Sequence, residues 1–187
     1  MRKEVEACIR VLQGGGTLLY PTDTVWGIGC DATDAWAVEK IYRIKKRSDS
    51  KAMLVLADSV DMVRDYVTEI PDTALQILEV NEEPLTIIYP CARGLAPNLT
   101  AGDGSIGIRI TSEAFSKALV KSLGRPLVST SANLAGQPAP ADFSGIPAEI
   151  LTAVDYVADW RRHEQFKNKP SGILKVYLNG EIRVIRR

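Results

Sequence analysis

The sequence predicts an α/β fold organised as one domain over residues 1–187, and two observations carry that reading. Short apolar runs of strand length, at 18–20, 53–57, 85–89, 105–110 and 173–177, alternate with segments whose apolar residues recur at helical spacing. A chain of 187 residues with 45% hydrophobic content is also long enough for one substantial core. Its 23 basic and 23 acidic residues cancel, so any contact with nucleic acid needs a local patch rather than the overall field.

The first element is an amphipathic helix over 3–13, with Val5, Cys8, Ile9 and Leu12 on one face. Gly14, Gly15 and Gly16 stop it. They precede a strand and lack the Lys-Ser/Thr of a phosphate-binding loop, so they do not read as a nucleotide motif. The strand 18–20 ends at Pro21, which has no backbone donor. Thr22, Asp23 and Thr24 make the turn into a second strand, 25–30, whose Gly27 and Gly29 leave bare backbone on one face. Two glycines on one side of a strand point to a close approach by another backbone or a ligand.

Asp34 caps the next helix, and Val38, Ile41 and Tyr42 form its buried stripe. Lys45 falls on that stripe. An ammonium leaves water at considerable cost unless it meets an anion; alternatively, at a helix end it favours the dipole and can snorkel out. Arg47 and Lys51 follow closely, and the three cations together make a candidate anion site.

A strand at 53–57, helices at 60–66 and 72–80 and a strand at 85–89 come next. A loop rich in Gly, Pro and Asn then leads to 105–110, where three isoleucines face one side and Ser105, Gly107 and Arg109 the other. With such small neighbours, the Arg109 guanidinium has cleared space for a bidentate grip on carboxylate or phosphate; the alternative is an exposed arginine on a half-wet strand. A helix over 113–123 precedes the strand 126–128, which runs into Ser129-Thr130-Ser131-Ala132-Asn133. Such groups suit phosphate or ribose oxygens at a strand end, although any turn also uses them. Regular structure returns at 150–158, and strands at 173–177 and 182–185 close the chain.

Cys8, Cys30 and Cys91 lack C-x-x-C spacing, which fits reduced thiols in an intracellular protein, and no structural metal site is expected. The one histidine, His163, stands in a charged run and offers little for nucleophilic chemistry. No window approaches a membrane span, so the expected location is cytoplasmic, with no membrane partner.

Taken together, YPTDTVWGIGCDA, IKKR followed by Lys51, SIGIR and PLVSTSAN resemble the YrdC-like threonylcarbamoyl-AMP synthase family, in the same order and at similar intervals. The resemblance covers nearly the whole chain, and its Lys-x-Arg and Ser-x-Asn pairs match Lys45 with Arg47 and Ser131 with Asn133. It implies a twisted, open sheet of mixed parallel and antiparallel strands with flanking helices and an electropositive concave site. It also implies an enzyme that joins L-threonine, bicarbonate and ATP, releases pyrophosphate and supplies threonylcarbamoyl for the tRNA adenosine next to the anticodon. By motif match, Thr24, Arg109 and Ser129 would contact threonine. Arg47, Lys51, Ser105, Ser131 and Asn133 would contact ATP, with Lys45 and Arg47 at the reacting centre and Mg2+ carried on the nucleotide. Contact with tRNA and with tRNA-modification proteins would follow. This chain has Leu56 where some members place a histidine. Alternative readings are a double-stranded-RNA-binding module, or a paralogue that makes a carbamoyl adenylate on another acceptor.

Overall fold

The structure is a computed structural model that describes residues 1–46, 53–164 and 170–187. In chain order the elements begin with α1 (Arg2–Gln13), β1 (Leu18–Tyr20), β2 (Gly27–Gly29), α2 (Ala35–Ile44), β3 (Leu54–Ala57), α3 (Val60–Tyr66), α4 (Asp72–Val80) and β4 (Leu85–Tyr89). They continue with β5 (Ile106–Ile110), α5 (Ala114–Leu123), β6 (Leu127–Ser131), α6 (Ala148–Ala153), β7 (Tyr156–Val157), β8 (Gly172–Val176) and β9 (Ile182–Arg186). Among the described residues the strands form one open sheet in the order β7-β1-β2-β6-β3-β5-β4-β8-β9. The pairs β1–β7, β3–β5 and β4–β8 are parallel and the rest antiparallel, which is the mixed sheet expected.

Local chemistry explains most boundaries. α1 ends in a Schellman motif: Gly16 N donates to the Val11 carbonyl and Gly15 N to that of Leu12, with Gly15 at φ +71°. The triple glycine is therefore a helix stop. The Asp34 carboxylate accepts from Trp36 N and Ala37 N at the start of α2, Ser59 caps α3 and Glu113 caps α5. The predicted strand 25–30 shortens to three residues, because only those find ladder partners on β1 and β6. The region 150–158 splits into the end of α6 and the short edge strand β7.

Because strand side chains alternate, the sheet carries two cores. On one face Leu19, Ile28, Val55, Ala57, Ile106, Ile108 and Val128 pack with Ala37, Val38 and Ile41 of α2 and with residues of α3, α4 and α6. On the other, Leu18, Tyr20, Leu56 and Leu127 pack beneath Val5, Cys8 and Leu12 of α1 and Phe115, Leu119 and Val120 of α5. Each such fully buried aliphatic or aromatic side chain contributes about 1.5–3 kcal/mol. α1 and α5 cover only part of this second face. Among the described residues the remainder, over β2, β6, β3, β5 and β8, forms a hollow.

Candidate functional site

Register assembles the hollow. Paired residues point to the same face of a sheet, so Gly27 opposite Ser131, Leu54 opposite Ser129 and Leu56 opposite both Leu127 and Arg109 place glycine, hydroxyls and guanidinium on one surface. The resulting cavity holds about 450 Å3 and is lined by Thr22, Thr24, Gly27, Met53, Leu54, Arg109, Ser129, Thr130, Ser131, Asn133, Gln137, Pro170, Ser171, Ile173 and Arg186, among others. Thr24, Arg109, Ser129, Ser131 and Asn133, all singled out from sequence, thus share one cavity. Arg47 and Lys51 lie outside the described residues.

Each wall has a local cause. In the turn after Pro21, Thr22 Oγ1 donates to the Val25 carbonyl (2.7 Å) and accepts from Thr24 N (3.1 Å), which fixes Thr24 against the cavity. An ideal Cβ on Gly27 would lie 3.3 Å from both Ser129 Oγ and Thr22 Cγ2, so glycine keeps the floor low. Gly29, its neighbour on the same face, is closed off by a different approach. A Cβ there would lie 2.4 Å from the Val128 carbonyl and 2.7 Å from the Tyr20 ring. Ser129 and Ser131 belong to β6 itself and stand on the sheet face, so the expected strand-end site is a face site instead. Beyond β6, Ser131 Oγ donates to Asn133 Oδ1, and Asn133 Nδ2 donates to the carbonyls of Leu134 (3.0 Å) and Gln137 (2.7 Å), folding the loop inward.

Two cations differ from expectation. Lys45 is buried as its place on the stripe requires, with 2% exposure, but its Nζ donates to the carbonyls of Ser131 and Asn133, the latter at 2.7 Å. Two carbonyl oxygens supply the negative potential that the ammonium needs out of water. Lys45 is not part of the cavity lining and reaches it through the backbone that it holds. Arg109 lines the cavity but is not exposed, and it already has a carboxylate partner. It is 3% exposed and pairs with Asp23 through Nη2 at 2.9 Å, both side chains being buried. Among the described residues its Nε has no hydrogen-bond partner, although it is out of water. Burial pushes the Asp23 carboxyl above its ordinary value, only partly offset by Arg109, and lowers the guanidinium, only partly offset by Asp23. Both shifts show desolvation outweighing the mutual attraction.

Ser105 lies apart, in a smaller adjoining hollow of about 200 Å3 that shares Met53, Leu54 and Ile173 with the larger one. Leu56 is fully buried in the core under α1 and α5, opposite Arg109. Asp23 and Arg186 were missed by sequence reasoning. Asp23 was visible as one of three polar turn residues, but nothing local signals its partner 86 positions on. Arg186 lines the cavity while its Nε donates to the Ser171 carbonyl at 3.0 Å. It shares the Ile182, Val184 alternation, yet only the return of β9 along β8 brings it near β6.

The cavity can therefore receive an anion at Arg109 and Arg186 and hold neutral oxygens at its hydroxyls and amides. Among the described residues no cluster of three or more His, Cys, Asp or Glu could hold a metal ion, and no helix is long and apolar enough to cross a membrane. A family model described as "Telomere recombination", that of Sua5/YciO/YrdC, matches residues 10–187. A threonylcarbamoyl-AMP synthase from Xanthomonas euvesicatoria pv. vesicatoria is 34% identical over 159 residues, covering 83% of this chain and 85% of its own. Among solved structures, E. coli YciO superposes with a TM-score of 0.87 at 23% identity, over 100% of this chain and 90% of its own. P. abyssi Sua5 complexed with L-threonine gives a TM-score of 0.81 at 20% identity over 92% of this chain, which spans about half of that longer protein, 50%. With the model spanning almost its full length and a relative above 30% identity over most of it, this chain belongs to the Sua5/YciO/YrdC family.

Proposed function

We propose that the chain is a threonylcarbamoyl-AMP synthase, a nucleotidyltransferase that makes threonylcarbamoyl-AMP and pyrophosphate from L-threonine, bicarbonate and ATP. One observation carries this reading: a buried arginine, its Nε without a hydrogen-bond partner among the described residues, stands in a cavity that also presents the hydroxyls of Thr24, Ser129 and Ser131 and the amides of Asn133 and Gln137. The curated relatives named for this activity support it. The threonine amine adds to carbon dioxide derived from bicarbonate, forming an N–C bond and releasing a proton. The carbamate oxygen then attacks the α-phosphorus, and the bond to the β-phosphate breaks with its electron pair leaving on pyrophosphate. No covalent nucleophile is needed; the protein supplies position and positive charge.

In this mechanism Arg109 holds the amino-acid carboxylate, with Thr24 and Ser129 around the rest of threonine. Ser131 and Asn133 meet the nucleotide, joined by Ser105 in the adjoining hollow and by Arg47 and Lys51. Lys45 positions the Ser131–Asn133 backbone beside the reacting centre. Magnesium enters as part of the MgATP substrate, held by phosphate and water. The product feeds transfer of threonylcarbamoyl to a tRNA adenosine with the help of partner proteins. Purified protein given MgATP, bicarbonate and threonine should release pyrophosphate only when threonine is present. Release with no amino acid, or equal release with unrelated amino acids, removes the assignment.

A further inference from the structure

The smaller hollow beside the cavity has a different character. Met53, Leu54 and Ile173 are common to both, Ile88 adds apolar wall, and Gly107 contributes bare backbone. A polar, cation-bearing cavity opening into a slot of mostly apolar lining matches the two halves of a nucleotide, a polyphosphate and a flat base. This step rests on the nucleotide reading proposed above. Two side chains in the slot can hydrogen-bond, Thr86 and Ser105. The Thr86 hydroxyl is engaged with that of Ser171 at 2.8 Å.

Ser105 has its polarity set from outside the slot. Its N–H and its hydroxyl both go to Asp103 Oδ1, the N–H at 3.0 Å, while Asp103 Oδ2 accepts from Lys175 Nζ at 2.7 Å. The Lys175 bond, and then the two Ser105 bonds, hold the Asp103 carboxyl well below the usual carboxylate range. An ionised carboxylate only accepts, so the serine hydroxyl must be the donor, and only lone pairs remain on Oγ. We infer that Asp103, anchored by Lys175, is a specificity-determining residue: it makes Ser105 an acceptor-only group facing the base. A 6-amino purine offers that oxygen an N–H. A 6-oxo purine sets a carbonyl against it, leaving two acceptors facing each other at a desolvated site, a mismatch that sites built for one polarity reject strongly.

Calorimetric titration of the full chain with MgATP and with MgITP, which carries the same sugar and triphosphate but a 6-oxo base, tests this. Wild type should bind ATP at least about tenfold more tightly than ITP. Asp103→Ala frees the hydroxyl to rotate and donate, so the ratio should narrow to within about threefold, with ITP gaining. Ser105→Ala should narrow it by weakening ATP alone, and it carries the test if Asp103→Ala does not fold. If Asp103 only braced the loop, both nucleotides would weaken equally and the ratio would stand, which overturns the inference. Equal binding of ATP and ITP by wild type overturns it too while leaving the nucleotide reading in place. Binding of neither removes the nucleotide reading itself, and this inference with it.

Discussion

At the scale of single residues, buried charge is the clearest mark of the site. Lys45 and Arg109 are both kept from water, and neither would be retained for stability alone, since the burial of each is costly. Replacing Lys45 or Arg109 by Ala should lower the threonine-dependent pyrophosphate rate more than tenfold, because each removes charge-assisted bonds of about 1.5–3 kcal/mol. An unchanged rate in both variants, with circular dichroism like that of wild type, would show the site to be elsewhere. Asp23 gives a pH signature. Its folded-state pKa is raised by burial, so its contribution to stability is full below the unfolded value of about 3.9 and is lost as pH rises through the folded value. Urea titrations of wild type and Asp23→Asn should therefore show wild type losing ground to the variant as pH rises from acid towards neutrality. The opposite slope would mean that attraction to Arg109 outweighs burial.

Strand β2 shows how one element combines structure and function. Its two glycines share a face but answer to different neighbours. Gly29→Ala drives a methyl into the Val128 carbonyl and the Tyr20 ring, where backbone cannot yield, and should destabilise by about 2–3 kcal/mol. Gly27→Ala meets the Ser129 hydroxyl and a Thr22 methyl at 3.3 Å and the Thr130 carbonyl at an ordinary 3.6 Å, so it should leave thermal stability nearly intact while narrowing the cavity and raising the KM for threonine. A larger loss of stability at Gly27 than at Gly29 would contradict this division. The bare face itself was legible in the sequence, because alternation needs no knowledge of the fold. Helices α3 and α4 and strands β1 and β4 were equally legible, since caps, proline stops and local periodicity set their ends. What closes over each glycine was not, because Val128, Ser129 and Tyr20 arrive there by pairing across the sheet.

Over the whole molecule, the sheet joins two cores that neighbouring residues feed alternately: Leu19 against Leu18 and Tyr20, Val55 against Leu56, Val128 against Leu127. Neither core can dissolve without releasing strands of the other. Leu119→Ala under α5 and Ile41→Ala in α2 should each cost about 2–5 kcal/mol, and each should move one common unfolding transition rather than split it. Non-coincident transitions by fluorescence and circular dichroism would show the two faces to be independent. The sequence by itself determined the alternation of elements, the place of Lys45 on the apolar stripe of its helix, the face on which Arg109 stands and the family motifs, all properties of a few adjacent residues. Only the tertiary structure decided that Arg109 meets Asp23, that Lys45 grips the carbonyls of β6 and its following loop, and that Arg186 returns to the cavity. Those pairings join residues far apart in the chain, and their partners are fixed by strand order and register, which side-chain periodicity leaves undetermined.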